Sequence, residues 1–218
     1  MLEAPGGRGK AGAYPPFTAR RRRPGGLHGM STTTSTIRNG VDTAQVYGTL
    51  DALKAQPAAA RFEFRVRNRW IDGPHSRSSI RDFWGAGGED DSRGEPFVVD
   101  ASEPPVLFGH NEAPNPAEYL LHALAGCLTL TIVNVAAARK VDLHEVTSTL
   151  TGVLDARGAT GLDESYRNGF ERIEVAFSIS GDAPVEKLEE IVERAKARSV
   201  VYDIVTHGVP VAVSADIH

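Results

Sequence analysis

The chain holds one thiol, Cys127, inside "NPAEYLLHALAGCLTLTIVNVAAARK", residues 115–140. A thiol buried among aliphatic side chains behaves as a small inert hydrophobe, whereas a thiol beside a cation becomes a nucleophile. The chemistry therefore turns on whether a cation reaches Cys127. Arg77 and Arg81, in "WIDGPHSRSSIRDFWGAG", are the candidates, in a turn rich in small polar residues. A hydrolytic cysteine would need a histidine base. His122 precedes Cys127 by five residues, about 140° around a helix, and so points elsewhere. His75 lies in the Arg77 turn, where a surface-loop role is the plainer reading. Thr131 and Asn134 share the Cys127 face at one- and two-turn spacing, placed to satisfy polar groups beside the thiol or to bond backbone within the core.

A single cysteine excludes an internal disulfide and a CxxC-type zinc site, and it fits a reducing, cytoplasmic setting. The seven histidines contain no HExxH and no pair at a helical ligand spacing, so no metal is expected. No flavin, haem or nucleotide motif is visible, so no cofactor is expected either. The longest apolar stretch, Ala123 to Ala138, is interrupted by Thr129, Thr131 and Asn134, short of the roughly 18 uninterrupted residues of a membrane span. The 218 residues are 41% hydrophobic, with 24 basic against 28 acidic side chains, the balance of a globular protein with one substantial core.

Residues 1–29 are rich in Gly, Pro and Arg and lack apolar periodicity, which predicts a disordered stretch or a vector-derived or upstream-start extension, with Met30 opening a single domain over 30–218. That stretch holds six of the 24 basic residues and one of the 28 acidic ones, which leaves 18 basic against 27 acidic residues for the remainder. A body so acidic is a poor partner for a phosphate backbone.

The elements that must position the thiol follow from periodicity. Val41, Val46, Leu50 and Leu53 recur near helical spacing until Pro57. "RFEFRVRNRW" alternates Phe62, Phe64 and Val66 with charged residues, the period of a half-buried strand. Further strands are predicted at "EPFVVDAS", "VTSTLTGVLDAR" and "RIEVAFSIS", the last with Ile173, Val175, Phe177 and Ile179 on one face, and a closing strand at "VPVAVSA". "VEKLEEIVERAKARS" sets Leu188, Ile191, Val192 and Ala195 on one helical stripe. In the Cys127 segment, Asn115 is a preferred N-cap, Pro116 suits the first helical position and Glu118 stands where a capping-box acid belongs. Leu120, Leu121, Leu124, Leu128, Leu130, Ile132, Val133 and Val135 then cover nearly every direction, which predicts a central helix buried on all sides. Strands grouped at both ends around two central helices predict an α+β fold with largely antiparallel sheets.

The "NPAEYLLHALAGC" helix, the segment "RNRWIDGPHSRSSIRDF" and the closing "AKARSVVYDIVTHGVPVAV" resemble, in order and from about residue 41 onward, the OsmC/Ohr family of osmotically induced and organic-hydroperoxide-resistance proteins. The resemblance implies curved antiparallel sheets around buried central helices in an intertwined homodimer, with the active site at the dimer interface. It implies that Cys127 stands at the peroxidatic cysteine and Arg77, ahead of Arg81, at its activating arginine. Glu118 is the nearest match to a catalytic glutamate that the family places directly after Asn-Pro, where this chain has Ala117. Nine residues put Glu118 roughly 13 to 14 Å from Cys127 along a straight helix and half a turn out of phase. It therefore reaches the thiol only through a helix break or from a partner chain. The family's second, resolving cysteine is replaced by Ser199 in "RSVVYD".

Two functions follow from that pattern. In one, Cys127 reduces small organic hydroperoxides as a one-cysteine peroxidase and depends on an external thiol reductant. In the other, the interface pocket has kept only the binding of a small apolar ligand. Neither involves nucleic acid or membrane.

Overall fold

The computed structural model describes residues 36–218, so the reading of residues 1–29 lies outside the described residues. The described chain opens with a short hairpin, β1 (Ile37–Arg38) and β2 (Val41–Asp42), turned by Asn39 and Gly40, both at positive φ as a tight two-residue turn requires. The Asn39 amide clamps the hairpin to the chain between the later central helix and its next strand: it donates to Val141 O at 2.9 Å and accepts from Leu143 N at 2.9 Å. Helix α1 (Thr43–Ala55) follows, capped by Asp42, and buries none of its residues.

The segment read as one strand over 61–70 is two. Glu63–Phe64 (β3) pairs with Phe83–Gly85 (β6), which pairs in turn with Gly88–Asp90 (β7); Arg67–Asp72 (β4) pairs with His75–Ile80 (β5), which pairs with Phe97–Ala101 (β8). The break at Arg65 and Val66 passes the chain from one three-stranded sheet to the other. The Arg77 segment, expected as a turn, is the central strand of the second sheet, because both of its edges find antiparallel partners.

Helix α2 (Pro116–Ala138) begins as its sequence predicts: Asn115 and Glu118 close a reciprocal capping box, and Pro116 stands at the first helical position. Strands β9 (Leu143–Val153) and β10 (Arg172–Gly181) form a long antiparallel ladder, with the one-turn helix α3 (Ala156–Ala159) between them. Along β10 the sheltered residues are every second one, with Ile173, Val175, Phe177 and Ile179 inward. Helices α4 (Val185–Lys196) and α5 (Val200–His207) complete the fold.

The core lies where α2, α4 and the β9–β10 ladder meet. Ile132, Val135, Ala136, Val141, Ile191 and Ala195 are buried together, flanked by Leu143, Val146, Phe177, Ile179, Leu188 and Val192. Each large aliphatic side chain fully buried there stabilises the fold by about 1.5–3 kcal/mol.

Three expectations are corrected. Helix α2 is not covered on every side: Leu124, Leu128, Ile132 and Val135 are buried, but Leu130 is 66% exposed, because one sheet and two helices of a single chain cover one side of it. The segment 209–215 forms no strand; no ladder partner lies beside it, and Val211 and Val213 stand 80% and 89% exposed. By length and composition alone, α2 is also long and apolar enough to cross a membrane, contrary to the reading that its polar interruptions shorten it. One of those interruptions, the Thr131 hydroxyl, is absorbed by the helix itself, donating to Cys127 O at 2.7 Å.

Candidate functional site

Cys127 stands in the fourth turn of α2, between the buried Leu124 and Leu128, and is itself half-buried. Its sulfur meets Ser199, whose hydroxyl lies 3.1 Å from Cys127 Sγ. Ser199 is 2% exposed and is the N-cap of α5, its Oγ accepting from Tyr202 N at 3.2 Å. The serine therefore has one settled arrangement: its oxygen takes the helix N–H and its hydrogen is free to point at sulfur. A hydroxyl donating to a charged acceptor bonds about twice as strongly as to a neutral one. The N-terminus of α5 adds its own positive end to the same spot.

Arg77 is held elsewhere in the chain. Its Nε and Nη2 donate to Asp100 Oδ1 and Oδ2 at 2.6 and 2.8 Å, a bidentate fork across directly opposed residues of β5 and β8. The guanidinium holds the Asp100 carboxyl down to about 2, and the carboxylate raises Arg77 in return. His75 Nε2 lies 3.3 Å from Asp100 Oδ2 without hydrogen-bond geometry. Tyr119, in the first turns of α2, donates its hydroxyl to Asp100 O at 2.7 Å. The Arg77–Asp100 pair is thus tied to the start of α2, eight residues or about 12 Å along the axis from Cys127. No arginine or histidine bonds to the Cys127 sulfur among the described residues.

Arg81 Nε donates to Arg93 O at 3.2 Å, and Arg93 Nη1 donates to Arg81 O at 3.1 Å, so Arg81 closes a loop rather than facing the thiol. Glu118 is occupied by the capping box: its Oε2 accepts from Asn115 N at 2.8 Å, while Asn115 Oδ1 accepts from Glu118 N at 2.8 Å. The helix runs unbroken between Glu118 and Cys127, so the chain keeps the two apart. His122 is exposed on α2. The described residues contain no group of three or more His, Cys, Asp or Glu side chains able to hold a metal ion.

Sequence reasoning brought Cys127 and Ser199 together only as a lost pair, and missed Asp100 altogether. The signal for Ser199 was present, a serine directly before an apolar run, which is an N-cap pattern. Asp100 carried a weaker one, a lone acid at the end of an apolar strand that a neighbouring arginine could reach.

Residues 109–214, which include Cys127 and Ser199, match the family model described as OsmC-like protein. Over this segment the chain is similar to the OsmC/Ohr proteins. Similar solved structures include the OsmC-like protein from Mycoplasma pneumoniae, at 13% identity over 66% of this chain and 88% of that one, with a TM-score of 0.49. They also include the organic hydroperoxide resistance protein OsmC from Legionella pneumophila, at 18% identity over 66% and 91%, with a TM-score of 0.45. An OsmC-like hydroperoxide resistance protein from Jannaschia sp. CCS1 is 14% identical over 72% and 92%, with a TM-score of 0.38. None of the curated proteins matches. The fold is α+β, with open antiparallel sheets.

Proposed function

We propose that this OsmC-like protein reduces small organic hydroperoxides with Cys127 as its only redox thiol. The observation that carries the reading is the Cys127–Ser199 contact: the one thiol of the chain faces a buried hydroxyl donor at a helix N-terminus. The thiolate attacks the terminal peroxide oxygen, the O–O bond breaks, and the alkoxide takes a proton to leave as alcohol. Sulfur is oxidised by two electrons to the sulfenic acid. Ser199 has no sulfur to close a disulfide, so an external thiol attacks the sulfenic sulfur, releasing water, and a second thiol frees Cys127 from the mixed disulfide.

The working unit in this reading is a homodimer in a reducing cytoplasm. Phe64, Trp70 and Phe97, on the two three-stranded sheets, are 73%, 72% and 62% exposed in the single chain, and the Leu130 side of α2 is open. A second copy supplies the cover each face lacks, brings an Arg77–Asp100 pair to the open side of the partner's α2, and offers a sheet edge to segment 209–215.

Turnover tests the proposal. The wild type should consume cumene hydroperoxide in the presence of a dithiol, and Cys127→Ser should not. A wild type that fails to turn over with any thiol, yet binds the corresponding alcohol, would support the ligand-binding reading instead.

A further inference from the structure

A second site lies between α1, α2 and α4. There a cleft of about 430 Å³ is walled by Val46, Tyr47 and Leu50 from α1 and by Val135 with the polar Thr131 and Asn134 from α2, and rimmed by Arg139, Arg194 and Arg198. Helix α1 stands off from the core. It buries no residue, and among its links to α2 is the Tyr47 hydroxyl donating to Ala138 O at 3.2 Å. Its apolar side is consequently left against the cleft rather than against protein.

The charge at the rim is equally unfinished. Arg139, at the far end of α2, is answered by Glu190 at 2.6 Å, and Glu193 is taken by Lys196 at 2.9 Å. Arg194 and Arg198, one turn apart, have no ion-pair or side-chain hydrogen-bond partner among the described residues. Like charges at this spacing repel each other. The end of α4 favours cations, but its dipole does not account for the apolar wall opposite. In a body with 18 basic and 27 acidic residues outside its first 29, two exposed arginines without a side-chain partner at the rim of a partly apolar cleft are out of character.

We infer that this cleft binds a small amphiphilic organic anion, its carboxylate forked by Arg194 and Arg198 and its aliphatic chain laid on Val46, Tyr47 and Leu50. The site requires neither the thiol nor the peroxide chemistry.

Isothermal titration calorimetry of the full chain in the Cys127→Ser background tests it, with octanoate, octan-1-ol and acetate as probes. Octanoate should bind at least about tenfold more tightly than the uncharged or the short probe. The Arg194→Gln/Arg198→Gln double variant should bind octanoate no better than octan-1-ol, and Leu50→Asn should weaken octanoate while leaving acetate unchanged. Equal binding of octanoate and octan-1-ol, an unaltered double variant, or no octanoate binding at millimolar concentration would overturn the assignment. Because the background lacks the thiol, none of these results depends on the peroxidase reading.

Discussion

Replacing Ser199 by cysteine should turn a one-cysteine protein into a two-cysteine one. Ser199 Oγ already stands 3.1 Å from Cys127 Sγ on a buried, capped helix start, and a C–S bond is longer than a C–O bond, so the introduced sulfur would lie nearer still. Disulfide formation needs the sulfurs to close to about 2.05 Å, a small rotation of two χ1 angles from this arrangement. One equivalent of hydroperoxide should first oxidise Cys127 and then, by condensation with the introduced thiol, release water and leave a disulfide. Intact mass would show a loss of two hydrogens instead of the gain of one oxygen expected in the wild type. The bond would close a loop of 72 residues, for which chain entropy predicts about 4 kcal/mol of added stability, less the cost of the lost serine cap. Denaturant titration of the oxidised and reduced variant would read that difference. If S199C accumulated sulfenic acid at Cys127 without forming a disulfide, the facing geometry of the two side chains would be refuted.

Milder changes probe the remaining links. Ser199→Ala removes the donor to sulfur and the cap of α5; stopped-flow oxidation should slow by about tenfold or more, from a charge-assisted bond of about 1.5–3 kcal/mol, with roughly 1 kcal/mol lost from stability in urea titration. Ile132→Ala, at a site with 0% exposure, should cost about 2–5 kcal/mol, read as a lower urea midpoint at unchanged slope. Asp100 is depressed to about 2 against an unfolded value of about 3.9, so its contribution to stability is complete above the unfolded value and lost as pH falls through about 2. Asp100→Asn should flatten the acid-side loss of stability between about pH 4 and pH 2, and an unchanged acid limb would remove the Arg77 fork from the account. Sedimentation equilibrium should give a dimer at micromolar concentration; a monomer there would end the shared-site proposal.

How far the sequence reaches depends on where a signal is stored. The start of α2 was legible to the residue, because capping is local chemistry written in Asn115, Pro116 and Glu118. The inward face of β10 was legible from alternation alone. Strand β5 was not, since "HSRSSI" has little apolar pattern and becomes a strand by pairing with β4 and β8 on both edges, a property of its neighbours. The valines of 209–215 gave a strand pattern that one chain does not complete, because periodicity records which side seeks cover and says nothing of which chain supplies it. At the site, Cys127 was legible as the only thiol. The hydroxyl facing it was visible only as a missing cysteine, because its distance is set by how α5 docks on α2.

Whether Cys127 is a peroxide-reactive thiol is read by rapid mixing of reduced protein with one equivalent of cumene hydroperoxide, quenched into a sulfenate-trapping reagent and followed by intact mass. One trapped adduct per chain should form within seconds, confined to Cys127 and absent from Cys127→Ser. A wild type that stays unmodified over many minutes while its thiol remains titratable would contradict the peroxidase reading.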